Sequence, residues 1–212
     1  MLGLVKRQFA SFAFKTRLLF TSMVLYIFLF SIISWKTGNK EFLLYAAVTF
    51  FLYFFLFAYY HKLRLGNLLL FGIASHAILH YLGGFVYLDG TRLYENYLIP
   101  GFFRYDNLVH TFGIVILTLF AYNLLRPHFL LKSRTALFHF SFLLVLVTMG
   151  VGAFSEIIEL CAVLWADAAV TVGDYFNNAF DLVWNLTGAV LACTYISWYE
   201  YRKLPKTKKQ EN

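Results

Sequence analysis

Six stretches of this chain, residues 18–35, 42–60, 67–88, 106–125, 137–159 and 178–198, stay apolar for about the twenty residues that one helix needs to cross a ~30 Å hydrocarbon core. Runs of that length leave few folding alternatives. Inside a bilayer each backbone N–H and C=O must be bonded within the protein, so each run is read as a helix. The expected fold is all-α, a polytopic transmembrane helical bundle of six spans. Composition agrees. Of 212 residues, 60% are hydrophobic and only 14% charged, too little charge to cover a soluble domain of this size. The expected organisation is a basic N-terminal segment (1–17), one membrane domain (18–200) and a basic tail (201–212).

In the N-terminal segment Lys6, Arg7, Lys15 and Arg17 are interleaved with Leu4, Val5, Phe9, Phe12 and Phe14. That pattern suits either a short helix lying in the membrane interface or a plain basic flank. It does not suit a signal peptide, because the following apolar run is too long and no small-residue cleavage site appears. The fifth run continues through Ile157 and Cys161 to Trp165, longer than one crossing, so it tilts, kinks near Gly150 and Gly152, or projects from the membrane. Fourteen of the 18 Lys and Arg fall in the N-terminus, the second and fourth loops and the C-terminus. The bias of positive charge toward the cytoplasm then places both termini there, in a multi-pass protein of the cell (inner or plasma) membrane. Topology also accounts for the net charge of +7, so no nucleic acid partner is expected. Cys161 and Cys193 have no metal or redox spacing and are read as packing residues.

The acidic residues are distributed unevenly. Asp106, Glu156, Glu159, Asp167, Asp174 and Asp181 all gather at the outer ends of spans four, five and six or in the loop joining the last two. Read as a helix, Asp174, Asn178, Asp181 and Asn185 form one stripe (i, i+4, i+7, i+11) descending into an apolar run. Asp106 and His110 share a face at the start of span four, Glu156 and Glu159 another on span five, and His76 and His80 a third on span three. Ionisable groups facing lipid at this depth cost several kcal/mol, so the four faces are expected to turn toward one another. Some of these residues also have plainer roles open to them. His76 and His80 suit hydrogen bonds to backbone carbonyls, and Asp106 and Asp174 suit helix N-caps. Asp167 reads as a solvated loop residue, and His61, His128 and His139, on the cytoplasmic side, as incidental. Glu156, Glu159 and Asp181 do not fit such roles, because like charges within helices repel unless protonated, hydrogen-bonded or bridged by a cation.

Three ordered motifs carry a family resemblance: Tyr105-Asp106-Asn107-Leu108-Val109-His110, then Glu156-Ile157-Ile158-Glu159, then the Gly173–Ala189 stretch with Asp174, Asp181 and Gly188. Together they resemble the YjdF-like bacterial inner-membrane proteins, and the ending with Asn185 is similar to VanZ-like membrane proteins. The sequence departs from the pattern at Asn107, where the family usually has Arg, and at Asn177, where Asp is common. The resemblance implies a small polytopic helical membrane protein and supplies no reaction.

The residues themselves support a carboxylate/histidine site at the extracytoplasmic face. Its expected metal ligands are Glu156, Glu159, Asp174, Asp181 and His110; its catalytic groups His110, Asp106, Glu156 and Asp181; its substrate contacts Asn178, Asn185, His76 and His80. The implied cofactor is a divalent metal ion, since oxygen and imidazole donors suit Mg²⁺, Mn²⁺, Zn²⁺ or Fe. The implied partners are membrane lipid and a lipid head group or lipid-linked envelope component. A non-catalytic envelope binding or scaffold protein, and a proton- or cation-coupled transporter, draw on the same residue types and stay open. No G-x-S-x-G, H-E-x-x-H or phosphate-binding glycine loop decides for an enzyme.

Overall fold

The computed structural model describes residues 2–166 and 175–204. Among these residues seven α-helices follow in order: α1 (Leu2–Ala10), α2 (Phe14–Thr37), α3 (Lys40–Leu63), α4 (Asn67–Phe85), α5 (Tyr105–Leu125), α6 (Arg134–Ala166) and α7 (Tyr175–Tyr201). The last six are long and apolar enough to cross a membrane. Apart from α4, they extend one or more residues beyond the apolar runs, because polar flanking residues continue the backbone ladder that the apolar core begins.

Local chemistry fixes the helix ends. Gly38 ends α2 in the left-handed conformation (φ 69°), and its N–H bonds back to the last turn. One residue later the Asn39 side chain accepts a 3.0 Å bond from the Phe42 N–H and opens α3. At the other end of α3, Asn123 of α5 donates to the Leu63 carbonyl at 2.7 Å, satisfying an acceptor the helix leaves open. The third span does not reach residue 88 as expected. It stops at Phe85, and β1 (Tyr87–Leu88) pairs antiparallel with β2 (Thr91–Arg92). The cause is the Asp89-Gly90 pair, whose φ values of 51° and 79° make a tight hairpin turn that no apolar pattern announces. A second small hairpin, β3 (Tyr97–Ile99) with β4 (Phe103–Arg104), leads into α5.

The bundle has two layers. Phe12, Phe20, Met23, Phe42, Leu70 and Tyr81 centre a core shared by α1–α4. Leu137, Phe140, Leu144, Cys193 and Ile196 centre another shared by α5–α7. Outside both, Trp35, Phe51, Leu68 and Phe138 stand exposed, as side chains facing lipid do. The N-terminal segment is helical, and Gln8 donates to the Phe57 carbonyl at 3.2 Å. The helix α6 runs uninterrupted through Gly150 and Gly152 for 33 residues, about 50 Å at 1.5 Å per residue. A broad cavity opens along the seam between the layers.

Candidate functional site

The polar end of the cavity is built from the start of α5, and one cap explains its geometry. The Arg104 N–H donates to the Asn107 side chain at 2.8 Å, so Asn107 closes the first turn. Asp106 is thereby released from the capping role open to it in the sequence. It sits within the first turn, where the helix dipole favours an anion, and faces His110 one turn below, with Oδ1 3.5 Å from Nε2.

His110 is the hub. Its Nε2 lies 3.8 Å from Asp181 Oδ1 on α7, and its Nδ1 lies 3.8 Å from Glu156 Oε1 on α6 and 3.3 Å from Asn185 Oδ1 on α7. The imidazole therefore separates two groups of donors. Asp106, His110 and Asp181 offer one set of ligand atoms mutually within 4.8 Å, and His110, Glu156 and Glu159 offer another. Asp181 and Asn185 are each 1% exposed, so their polarity is spent inside the protein. Both Glu156 oxygens, Asp181 Oδ1 and Asn185 Nδ2 are buried without a hydrogen-bond partner among the described residues. Such groups are costly to leave unmatched and are rare in folded proteins.

Small residues bring the three helices this close. A Cβ on Gly188 would lie 2.4 Å from the Thr111 carbonyl oxygen, and one on Gly152 would lie 3.0 Å from Asn185 Nδ2. His76 packs flat against Gly113, where a Cβ would meet its Nε2 at 2.4 Å.

Most expected residues converge. Asp106, His110, Glu156, Glu159, Asp181 and Asn185 form the cluster; Asp106, His110, Glu159 and Asn185 line the cavity together with His76 and His80, while Glu156 and Asp181 are buried behind that lining. His80 is tied to the α4–α5 connection rather than to a backbone carbonyl: its Nδ1 and its own carbonyl are both bonded to the Tyr94 hydroxyl. Asn178 is half-buried and lies outside the cavity lining. Its expected place goes to Asn177, whose Nδ2 donates to Asp181 Oδ2 at 2.8 Å. Asp174 and Asp167 lie outside the described residues.

The connection between α4 and α5 adds residues that the sequence pattern does not single out. Arg92 on β2 pairs with Glu41 of α3 at 3.6 Å, both buried, and its guanidinium lies over the Phe42 and Tyr94 rings. Burial, with the Asp106 and Glu159 carboxylates adding to it, pushes the Tyr94 phenol well above its ordinary range and keeps it a donor. The only available signal was that Arg92 and Arg104 are the two cations of an otherwise uncharged or acidic outer loop.

A family described as "Predicted membrane protein (DUF2238)" matches residues 16–202. Neither a curated protein nor a solved structure matches the chain.

Proposed function

The chain belongs to the DUF2238 family of predicted membrane proteins, and we propose that its outer-half cluster binds a divalent cation and, through it, the head group of a membrane lipid or lipid-linked envelope component. The Lys and Arg bias supports cytoplasmic termini and so turns the cluster toward the extracytoplasmic face of the inner or plasma membrane. The finer kinship with YjdF-like proteins rests on the Asp106, Glu156 and Gly173–Ala189 motifs. The VanZ-like kinship rests on the ending with Asn185.

One observation carries the reading. Four carboxylates converge on a single imidazole inside a membrane bundle, with buried carboxylate oxygens left unmatched among the described residues. A cation relieves that repulsion, and the donor set fits a hard or borderline metal. Asn185 selects the face: accepting from Nδ1–H, it leaves the Nε2 lone pair directed at Asp106 and Asp181. Asp106, His110 and Asp181 are the ligands this favours, with Glu156 beside them as the base available to a head-group hydroxyl or water. Such an ion, when bound, polarises an oxygen or lowers the pKa of a bound water. Transport is supported less well, because among the described residues no Asp, Glu or His lines the cavity deeper than His76.

Metal analysis of the purified chain tests this. The wild type should retain a stoichiometric divalent metal, and Asp181→Asn and Glu156→Gln should lower its affinity by about tenfold or more. Metal absent from all three overturns the proposal. If the two variants then change only thermal stability, the cluster is a scaffold that ties helices together.

A further inference from the structure

The cavity holds far more than a head group. Its volume is ≈ 1260 Å³, above the ~300–1,000 Å³ of ordinary small-molecule sites. Along α3 its lining runs from Glu41 to Leu56, about 22 Å at 1.5 Å per residue. That exceeds the ~15 Å of one hydrocarbon leaflet, half of a ~30 Å core.

The lining changes character along that length. Arg92, Arg104, His110 and Glu159 mark the outer end, and Leu56, Ile73, Leu117 and Phe120 mark the inner end. Apolar space of this size destabilises a protein if left empty, in proportion to its volume. Its wall also opens sideways. Leu52 and Phe55 of α3 and Val151 and Phe154 of α6 line the cavity while being 58%, 48%, 46% and 60% exposed. Among the described residues these two helices therefore present a gap to the bilayer.

Resting on the cation-and-head-group reading above, we propose that the cavity seats a phosphate-bearing membrane lipid that enters sideways between α3 and α6. One hydrocarbon chain fills the apolar shaft, and the phosphate lies between the cation held by Asp106, His110 and Asp181 and the guanidinium of Arg104. A guanidinium and a divalent cation are both strong partners for phosphate oxygens, whereas the carboxylates alone would repel them. The shaft's length selects a chain rather than a free soluble phosphate.

The test titrates the detergent-purified full chain with three probes: dioleoyl phosphatidic acid, dioleoylglycerol and glycerol 3-phosphate. Phosphatidic acid should bind saturably, and each of the other two about tenfold or more weaker, because each lacks one half of the ligand. Leu117→Trp, which fills the inner shaft without touching the polar end, should abolish saturable binding while metal content stays unchanged. Leu52→Trp at the gap gives a second variant should the first fail to fold, and it should slow phosphatidic acid uptake. Arg104→Gln should weaken phosphatidic acid but not dioleoylglycerol. Equal binding of dioleoylglycerol and phosphatidic acid, or wild-type binding by both tryptophan variants, overturns the proposal. Phosphatidic acid bound with these dependences in metal-free protein would sink the cation reading alone. Metal retained with no phosphatidic acid binding would sink the lipid seat alone.

Discussion

Two glycines, one on each of two neighbouring helices, should respond to the same substitution with opposite sign. In Gly188→Ala the new methyl meets backbone. It would lie 2.4 Å from the Thr111 carbonyl oxygen and 3.2 Å from Ile114 Cβ, where ordinary contact begins near 3.4 Å. No side chain can swing away from a carbonyl, so α5 and α7 must separate by about 1 Å, and overpacking of this kind costs about 1–3 kcal/mol. Gly150 on α6 has nothing within 4 Å of its added methyl. There alanine should stabilise by about 0.5–1 kcal/mol through helix propensity alone. Together these put the two variants about 1.5–4 kcal/mol apart, a gap of roughly 3–16 °C in a detergent melting experiment. Separation of α5 from α7 also pulls Asn185 from its 3.3 Å contact with His110, so Gly188→Ala should lose metal affinity while Gly150→Ala keeps it. A Gly188→Ala protein that melts at or above the wild type would refute the close packing on which the site geometry depends.

Two further predictions concern the supports of the bundle. Glu200, 2% exposed, accepts from Tyr122 at 2.5 Å, Arg126 at 2.9 Å and Lys203 at 3.0 Å, joining α5 and α7 at the end opposite the cluster. Glu200→Gln should cost about 1–2 kcal/mol, the scale of a few weakened hydrogen bonds, because the cations it leaves, Arg126 and Lys203, are 34% and 49% exposed, with metal content unchanged by elemental analysis. Tyr94→Phe should cost about 1–3 kcal/mol in the same melting assay, since it strips the hydroxyl from both the ring and the carbonyl of His80; an unshifted melting point would show that the outer connection does not anchor α4.

The spans were legible because length alone identifies them: nothing but a helix satisfies twenty apolar residues in lipid. The pairs Asp106 with His110 and Glu156 with Glu159 were legible because one-turn spacing places them on common faces whatever the helices pack against. Asn177 was not. It and Asn178 both neighbour Asp181 on a helix surface, and only the rotation of α7 imposed by Gly188 against Thr111 decides between them. The capping by Asn107 was hidden for a related reason, since Asp106 beside it is an equally good candidate by residue type. The Glu41–Arg92 pairing could not be read from the sequence, although Arg92 stands out as one of two cations in its loop, because the partners lie on different elements and meet only in the folded chain.

The length of α6 has a consequence for where water meets this protein. Glu156 stands level with His110, yet it lies about 15 Å below the end of α6 at Ala166, whereas His110 lies about 8 Å below the start of α5 at Tyr105. Counted along each helix, α6 continues past that level by more than one turn further than α5 does. That surplus carries Leu164 and Trp165, 64% and 76% exposed. Trp165 is thus a natural optical gauge on that surplus, and its emission reports on the polarity of whatever approaches this end of α6.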